Sequence, residues 1–398
     1  MRRPILALLV ALILAACAAA EPTEPAPTAT PLPSETPQTP TAAPSPTATA
    51  QPAVAPPTAE PTAAGPPTNP LTGLPLDDPG ALDRRPLLVK VSNESSEIRP
   101  LSGYGFADHL WLHQAEGWGQ TRFTAVFLGQ VPEYVGSVRS VRPIDSDILI
   151  PMYDGLLAYS GASIGMNYHF EFETPYWERA FRELAERDHL VRLEDVPRPG
   201  VDRYHRLFAY PERVWALAEE RGNAAAEGDL TGLAFSVEPP AGGAPTTEVE
   251  VFLEENLGGI FRFAYEEGEW LFFHTDRKMV EPQEMPEIDR LTGEQLAFAN
   301  VVILYVEHSY TGWIEDQASS SSALNTELTG EGSGYLVRDG QVYDIVWRND
   351  PAEEGHLVEL LDGEGDLIPL RPGQTMFFAV QSPEQLGFRF YAPTITFR

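Results

Sequence analysis

The sequence has almost no cysteine and almost no lysine: one Cys, at position 17, and two Lys, at 90 and 278, in 398 residues. A single thiol rules out an internal disulfide, so stability has to come from a hydrophobic core, which a chain of this length can build. No apolar run reaches the roughly 20 residues that a transmembrane helix requires. The run at 5–14 is half that length. Residues 18–68 hold no aromatic side chain and a single glycine, Gly65. A segment without large apolar groups cannot bury a core, so the globular part starts near residue 69. Positive charge is short as well: 27 Lys and Arg stand against 58 Asp and Glu, a formal net charge of −31. A surface this acidic speaks against nucleic acid as a partner and repels anionic headgroups.

What is present begins with a secretory pattern. Arg2 and Arg3 precede the apolar run, which ends in Leu14-Ala15-Ala16-Cys17. That tetrapeptide resembles the lipobox of bacterial lipoproteins. The resemblance implies cleavage before Cys17, acylation of its side chain, and a protein held on the outer side of the cytoplasmic membrane. Two acyl chains anchor stably where one is marginal. Residues 18–68 contain 15 Pro and 11 Thr. They read as a disordered tether with polyproline character, extending on the order of 150 Å at full reach. The first seventeen residues carry +2, the tether −4, and residues 69–398 the remaining −29. All basic residues but two are Arg, whose planar fork suits anions, so clustered Arg is where a site is sought.

The rest divides into an N-terminal α+β domain at 69–225, a Gly/Ala/Pro-rich linker at 226–245 and a β-rich C-terminal domain at 246–398. Apolar runs predict strands at 85–91, 110–116, 121–128 and 156–159. Helices are predicted to open at Pro143, burying Ile144, Ile148 and Leu149, and at Thr174-Pro175, burying Trp177, Phe181, Leu184 and Ala185. A third opens at Pro211 and buries Val214, Trp215 and Ala218 before Gly222. Past a short strand at 234–237, strands are read at 247–253, 260–265, 270–274 and 301–306, with a helix-like segment at 292–298. Asp339-Gly340, between two alternating runs, signals a hairpin over 334–347, and 357–361 pairs with 367–370 in a second.

Several motifs follow one another in a specific order: Asn69-Pro70-Leu71-Thr72-Gly73-Leu74-Pro75, Arg99-Pro100, Ala107-Asp108, Glu116-Gly117, Thr121-Arg122-Phe123 and Gly136-Ser137-Val138-Arg139-Ser140-Val141-Arg142-Pro143. Asp289-Arg290-Leu291-Thr292-Gly293-Glu294-Gln295-Leu296, Ala299-Asn300-Val301-Val302, the 334–347 hairpin and Pro372-Gly373-Gln374-Thr375 continue the series. Together they resemble the YerB-like family of bacterial lipoproteins, which has an N-terminal and a C-terminal domain, both of unknown function. Met376 departs from the family, which commonly has Trp there. The resemblance implies a layered α+β sandwich of sheets and helices in two domains, and no activity.

The segment carrying Arg139 and Arg142 is the leading candidate site. With the strand ending near Val141 and a helix starting at Pro143, both guanidiniums converge on a helix N-terminus, an anion-binding arrangement. Arg122, Glu116, Asp108 and Asn93 would complete the pocket. An internal network, with the Arg residues paired to Asp108, Glu116 or Asp145, is the competing reading. Gly161-Ala162-Ser163-Ile164-Gly165 fits the G-x-S-x-G nucleophile pattern after a strand, with Asp188-His189 and Asp202 and His205 later in the chain. The following 166–172 alternates and does not read as the helix such an elbow needs. His109 and His113, on one strand, would lie about 13 Å apart, too far for one metal ion, and read as surface or core-edge residues. Asp362-Gly363-Glu364-Gly365-Asp366 lacks the spacing of a calcium loop. Trp111, Trp118 and Tyr104 would be the residues of a carbohydrate platform. No cofactor or metal motif is found. Three functions stay open: a non-catalytic envelope module binding an anionic ligand, a serine hydrolase using Ser163, Asp202 and His205, and a scaffold for an envelope protein.

Overall fold

Short, almost uninterrupted apolar segments build this protein around strands buried on both faces, as in a covered sheet. The computed structural model describes residues 66–94, 96–116, 120–184, 187–253, 259–275, 283–317, 320–385 and 393–398. Cys17, the lipobox and nearly all of the tether lie outside the described residues, as do Gly117, Trp118, Gly119, Ala185 and Lys278. The main strands are β1 (Leu87–Ser92), β2 (His109–Gln114), β3 (Thr121–Phe127), β4 (Leu156–Tyr159), β5 (Ala180–Arg182), β6 (Glu248–Leu253), β7 (Gly259–Glu266), β8 (Glu269–Thr275), β9 (Asn300–Asp316), β10 (Ser321–Glu327), β11 (Gly330–Arg338), β12 (Gln341–Asn349), β13 (Glu359–Leu361), β14 (Thr375–Gln381) and β15 (Thr394–Phe397). Two helices matter most, α1 (Ile164–Phe172) and α2 (Pro211–Arg221).

The large sheet runs β13-β12-β11-β9-β14-β2-β3-β1-β4-β5, with β10 paired to β9. Its two halves come from the two ends of the chain and join where β2 pairs in parallel with β14, His109 opposite Thr375 and His113 opposite Ala379. Alternation sends Val89, Leu112, Phe123, Ile303 and Phe378 to one face, where β6 to β8 and α2 pack. Leu88, Trp111, Val126, Leu304 and Phe377 go to the other, beneath Asp145–Leu149, Ile150–Met152 and α1. Trp111 stacks on Phe377 with centroids 4.4 Å apart, which ties the two halves at their seam. Among the described residues, no helix is long and apolar enough to cross a membrane.

Local signals that agreed with their surroundings gave the elements expected. α2 opens on Pro211, buries Val214, Trp215 and Ala218, and ends on Gly222. The Asp339-Gly340 turn has positive φ at both residues, +49° and +67°, joining β11 to β12 as a two-residue hairpin requires. Other segments differ. Residues 174–184 do not form a helix: Trp177–Arg179 is one 3-10 turn, and Ala180–Arg182 is drawn into the sheet as β5 beside β4. Residues 164–172, whose aromatics alternate, are helical instead. Ser163 accepts from Met166 N, and Met166 and Phe170 supply the buried stripe. The stretch 292–298 is a turn followed by the short strand Ala297–Phe298, because Asp289 and Thr292 side chains capture the Leu291 and Glu294 amides. Residues 234–237 make an isolated bridge, Phe235 to Leu370, not a strand of their own.

The long motif around Asp289 is a clasp on the other half of the chain. Its carboxylate accepts from the Gly103 and Gly105 amides at 3.1 and 2.8 Å, while the neighbouring Glu287 takes the Tyr104 hydroxyl and Arg99. Asp289→Ala removes an acceptor serving three amides, that of Gly103 buried and those of Gly105 and Leu291 partly buried. The expected outcome is destabilisation by about 3 kcal/mol in urea unfolding, with a steeper loss than Asp289→Asn.

Candidate functional site

Lys90 interrupts the apolar run of β1, and the pleat points it into the covered face of the sheet, where it is fully buried. Its ammonium has three donors and three partners: Asp145, at 2.9 Å, Thr124 Oγ1, at 3.0 Å, and His113 Nε2. Thr124 is its direct cross-strand neighbour and donates in turn to Asp145 at 2.7 Å. His113 Nδ1 donates to the Gln114 carbonyl at 3.1 Å, which leaves Nε2 free to accept from Lys90. Burial lowers the Lys90 pKa to about 8 against the opposing pull of Asp145. Burial, and then the charge of Lys90, holds His113 neutral. Asp145 also accepts from the Arg142 amide at 2.7 Å, which fixes the start of the π-helical turn Asp145–Leu149 against the sheet.

Next to this knot, at the carboxyl ends of β1, β2 and β4, the 139–141 segment runs beside the sheet. Arg139 N donates to Lys90 O, Ser160 N to Arg139 O, and Val141 N to Gly161 O. Arg142 is nearly buried and lies between two carboxylates, Glu116 and Glu315, the latter at 3.0 Å. It is neutralised with one negative charge to spare. Arg122 and Arg139 are in the opposite situation. Both donate to the same oxygen, Oε1 of Glu94, Arg122 at 2.6 Å. His205 Nε2 sits 3.7 Å from the other oxygen. Burial alone would raise the Glu94 pKa, but the charges of Arg122 and Arg139 outweigh it and hold the carboxyl at about 2. The network's four cations and four carboxylates balance in total, yet two guanidiniums share one carboxylate at Glu94. Arg122 is 3% exposed and Arg139 21%, so this end of the network reaches solvent.

The expected site residues are only partly together. Asn93 is adjacent, donating to Thr121 Oγ1 at 2.8 Å and accepting from Arg99. Asp108 is elsewhere: it precedes β2, whereas Glu116 follows it, so the strand's length separates them. Asp108 instead accepts from Asn69 at 2.8 Å and from the Leu128 and Gly129 amides, and burial raises its pKa to about 6. Ser163 does lie between a strand and a helix, as an elbow serine would. Its hydroxyl, however, donates to Glu315 at 2.8 Å and accepts from Met166 N, and Gly165 is required because a Cβ there would meet the Trp313 ring at 2.3 Å. Asp202 caps the Tyr204 amide and His205 faces Glu94, so these three residues serve three different local structures. His109 and His113 are fully buried, not at the core edge, and His109 bonds Tyr153 and the Leu71 carbonyl. Trp111 and Tyr104 are core residues, and Asp362 closes its own turn on the Glu364 and Asp366 amides.

Glu94, Glu315 and Lys90 were not among the residues singled out as site members. Only Lys90 carries a signal in the sequence, being one of two lysines and the charge inside an apolar strand. His169 is another. It bridges Asp147, at 2.9 Å, and Glu173, at 2.8 Å, beside Trp313 in a cleft of about 310 Å³.

Two sequence profiles match the chain in order: the N-terminal domain of a protein family of unknown function (DUF3048) at residues 71–224 and the C-terminal domain of the same family at 250–377. The YerB lipoprotein candidate of Bacillus subtilis (strain 168) is 26% identical over 308 residues, 77% of this chain and 84% of the relative. The crystal structure of YerB protein from Bacillus subtilis aligns with a TM-score of 0.61 at 24% identity, covering 83% of this chain and 99% of that one. At that identity the likeness speaks for the fold.

The bond to Asp147 raises the His169 pKa to about 9, despite burial, with Glu173 adding to it. The stabilisation from a folded-state pKa above the usual 6.5 is complete below that value and is lost as pH rises through about 9. His169→Gln is therefore expected to cost about 2 kcal/mol at pH 6 and nearly nothing by about pH 10, read as the difference in melting temperature from wild type. A difference that does not change with pH would assign His169 a packing role only.

Proposed function

The chain belongs to the DUF3048 family, whose two domains of unknown function it carries in order, and from that premise we infer a lipid-anchored, extracytoplasmic binding module for an anionic envelope ligand. The anchor is Cys17, supported by the lipobox and by a relative bearing a lipoprotein name. The anion site is Arg122 and Arg139, with His205 beside them. The observation that carries it is the convergence of two guanidiniums on one oxygen of Glu94 at a solvent-reaching edge. Arg142 is left out of the ligand site, since Glu116 and Glu315 already satisfy it. Ser163 is left out of any catalytic role, since its hydroxyl is held by Glu315 and caps α1.

Two outcomes are expected. Palmitate labelling in cells should mark the wild-type chain and not Cys17→Ala, which should leave the membrane fraction; a membrane-bound, labelled variant would reject the anchor. In a thermal-shift screen against muropeptides, teichoic-acid fragments and sugar phosphates, a ligand at 100 times its Kd adds about 2.7 kcal/mol of stability. That shift should vanish in Arg139→Ala with the apo melting temperature within a few degrees of wild type. Arg142→Ala, by contrast, leaves Glu116 and Glu315 without their shared counter-charge and should lower the melting temperature whether or not ligand is present.

A further inference from the structure

The surroundings of Glu94 contain more than a surplus of positive charge. Among the described residues, four buried polar atoms on the segments that meet at Glu94 have no hydrogen-bond partner: Ser92 Oγ, Arg122 Nε, Ser137 Oγ and His205 Nδ1. They belong to one neighbourhood. Ser92 lies directly opposite Arg122 in the β1–β3 register, and its amide donates to Ser137 O at 2.9 Å. Val138, next to Ser137, donates to Leu207 O at 2.7 Å, which brings the His205 turn alongside. Native proteins leave few such atoms unsatisfied, and the segments that meet at Glu94 carry four of them.

A carboxylate is a poor match for this donor set. Both guanidiniums use a single Glu94 oxygen; Arg122 also donates to Thr121 O and Gln120 Oε1, which leaves its Nε and the two serine hydroxyls without an acceptor. A phosphoryl group has three strong acceptor oxygens and suits paired guanidiniums. We propose that Glu94 is an internal stand-in for a phosphoryl group, and that a phosphate or phosphomonoester binds by displacing its carboxylate from Arg122 and Arg139. The entering group takes Arg122 and Arg139 as its cationic contacts, and the Ser92 and Ser137 hydroxyls and the His205 imidazole, whose pKa burial lowers, as neutral ones. Only one side chain has to leave, and no covalent bond changes. Glu94 also sets selectivity, because an entering carboxylate would gain nothing over the one already there. This proposal rests on the anion-binding reading and sharpens it.

The test is calorimetric titration of the full chain in detergent with inorganic phosphate, a hexose 1-phosphate and acetate, using wild type, Glu94→Gln and Arg139→Ala. The expected result is phosphate binding at least 10-fold tighter in Glu94→Gln than in wild type, abolished in Arg139→Ala, with no response to acetate. Tighter binding of the hexose phosphate than of phosphate would identify a phosphorylated sugar as the source; equal binding would identify the free anion. Equal phosphate affinity in wild type and Glu94→Gln, still lost in Arg139→Ala, would overturn the stand-in role while keeping an anion site. Acetate binding as strong as phosphate would overturn the phosphoryl preference and again leave the anion site. No binding of any anion to folded wild type or Glu94→Gln would remove both readings. If Glu94→Gln does not fold, Glu94→Asp replaces it, with the same tightening expected from a carboxylate withdrawn by one methylene.

Discussion

The parallel pairing of β2 with β14 decides where everything else in this protein can be. It joins strands from opposite ends of the chain, and it fixes which face each neighbouring side chain meets. Because β9 lies beside β14 and continues past the sheet, its far end reaches back over the N-terminal half. That is how Trp313 comes to lie on Gly165, and Glu315 on Arg142 and Ser163. β10 follows, bridging Ala323 to Glu116. The network at the carboxyl ends of β1, β2 and β4 therefore takes residues from both halves of the sequence. Without the second half, β2 would be an open sheet edge with unpaired backbone groups, and Arg142 would lose one of its two carboxylates. Ligand sites in open α/β sheets tend to occur at this same end of the strands, for the same geometric reason.

Within the network, burial does not separate a structural charge from a functional one; the count of partners does. Lys90 is the most deeply buried cation, and each of its three donors is met, so nothing is left over to bind. Taking Lys90 away would strand Asp145 without its counter-charge, a loss of about 3–5 kcal/mol for a broken buried pair. Lysine suits this position because a compact tetrahedral ammonium can reach three partners in different directions, which a planar fork cannot. Arg142 is similarly saturated. Arg122 and Arg139 share one carboxylate oxygen, with Arg122 held in addition by Thr121 O and Gln120 Oε1, and theirs is the edge that reaches solvent. The shared carboxylate thus lies where water can arrive, and the satisfied charges lie behind it.

How much of this could be read from the sequence depended on the range of the interaction. The β11–β12 hairpin and α2 were legible because Asp339-Gly340, Pro211 and Gly222 act within a few residues of themselves. The 177–184 segment departs from its local helical pattern because the sheet takes Ala180–Arg182 as a strand beside β4, and 164–172 is helical because the Ser163 cap and the burial of Met166 and Phe170 outweigh the alternation of its aromatics. The Arg139–Arg142 segment was visible as a charge cluster. Its partners were not, since Glu94 is 45 residues from Arg139, and Glu315 is 152 from the serine it holds. Asp108 shows the converse error. It is close in sequence to Glu116, but six residues of extended strand put the two at opposite ends of the sheet.

On the proposed reading, an anion site in a domain carrying −29 would work against its own field. Long-range attraction would not draw the ligand in, and at physiological salt the repulsion is felt within about 8 Å of the surface and fades beyond it. On that reading recognition would have to come from contact: guanidinium geometry, the matching of unpartnered donors, and displacement of Glu94. Such a site discriminates well and captures slowly, which suits a ligand that is abundant or held nearby more than one that is dilute and free. Under the anchored reading, the tether supplies that proximity. If the chain is anchored as proposed, a linker of about 50 residues would set the effective concentration at which any anion fixed nearby is met, in place of steering. The acidic surface would then have a use of its own, keeping the domain off anionic headgroups.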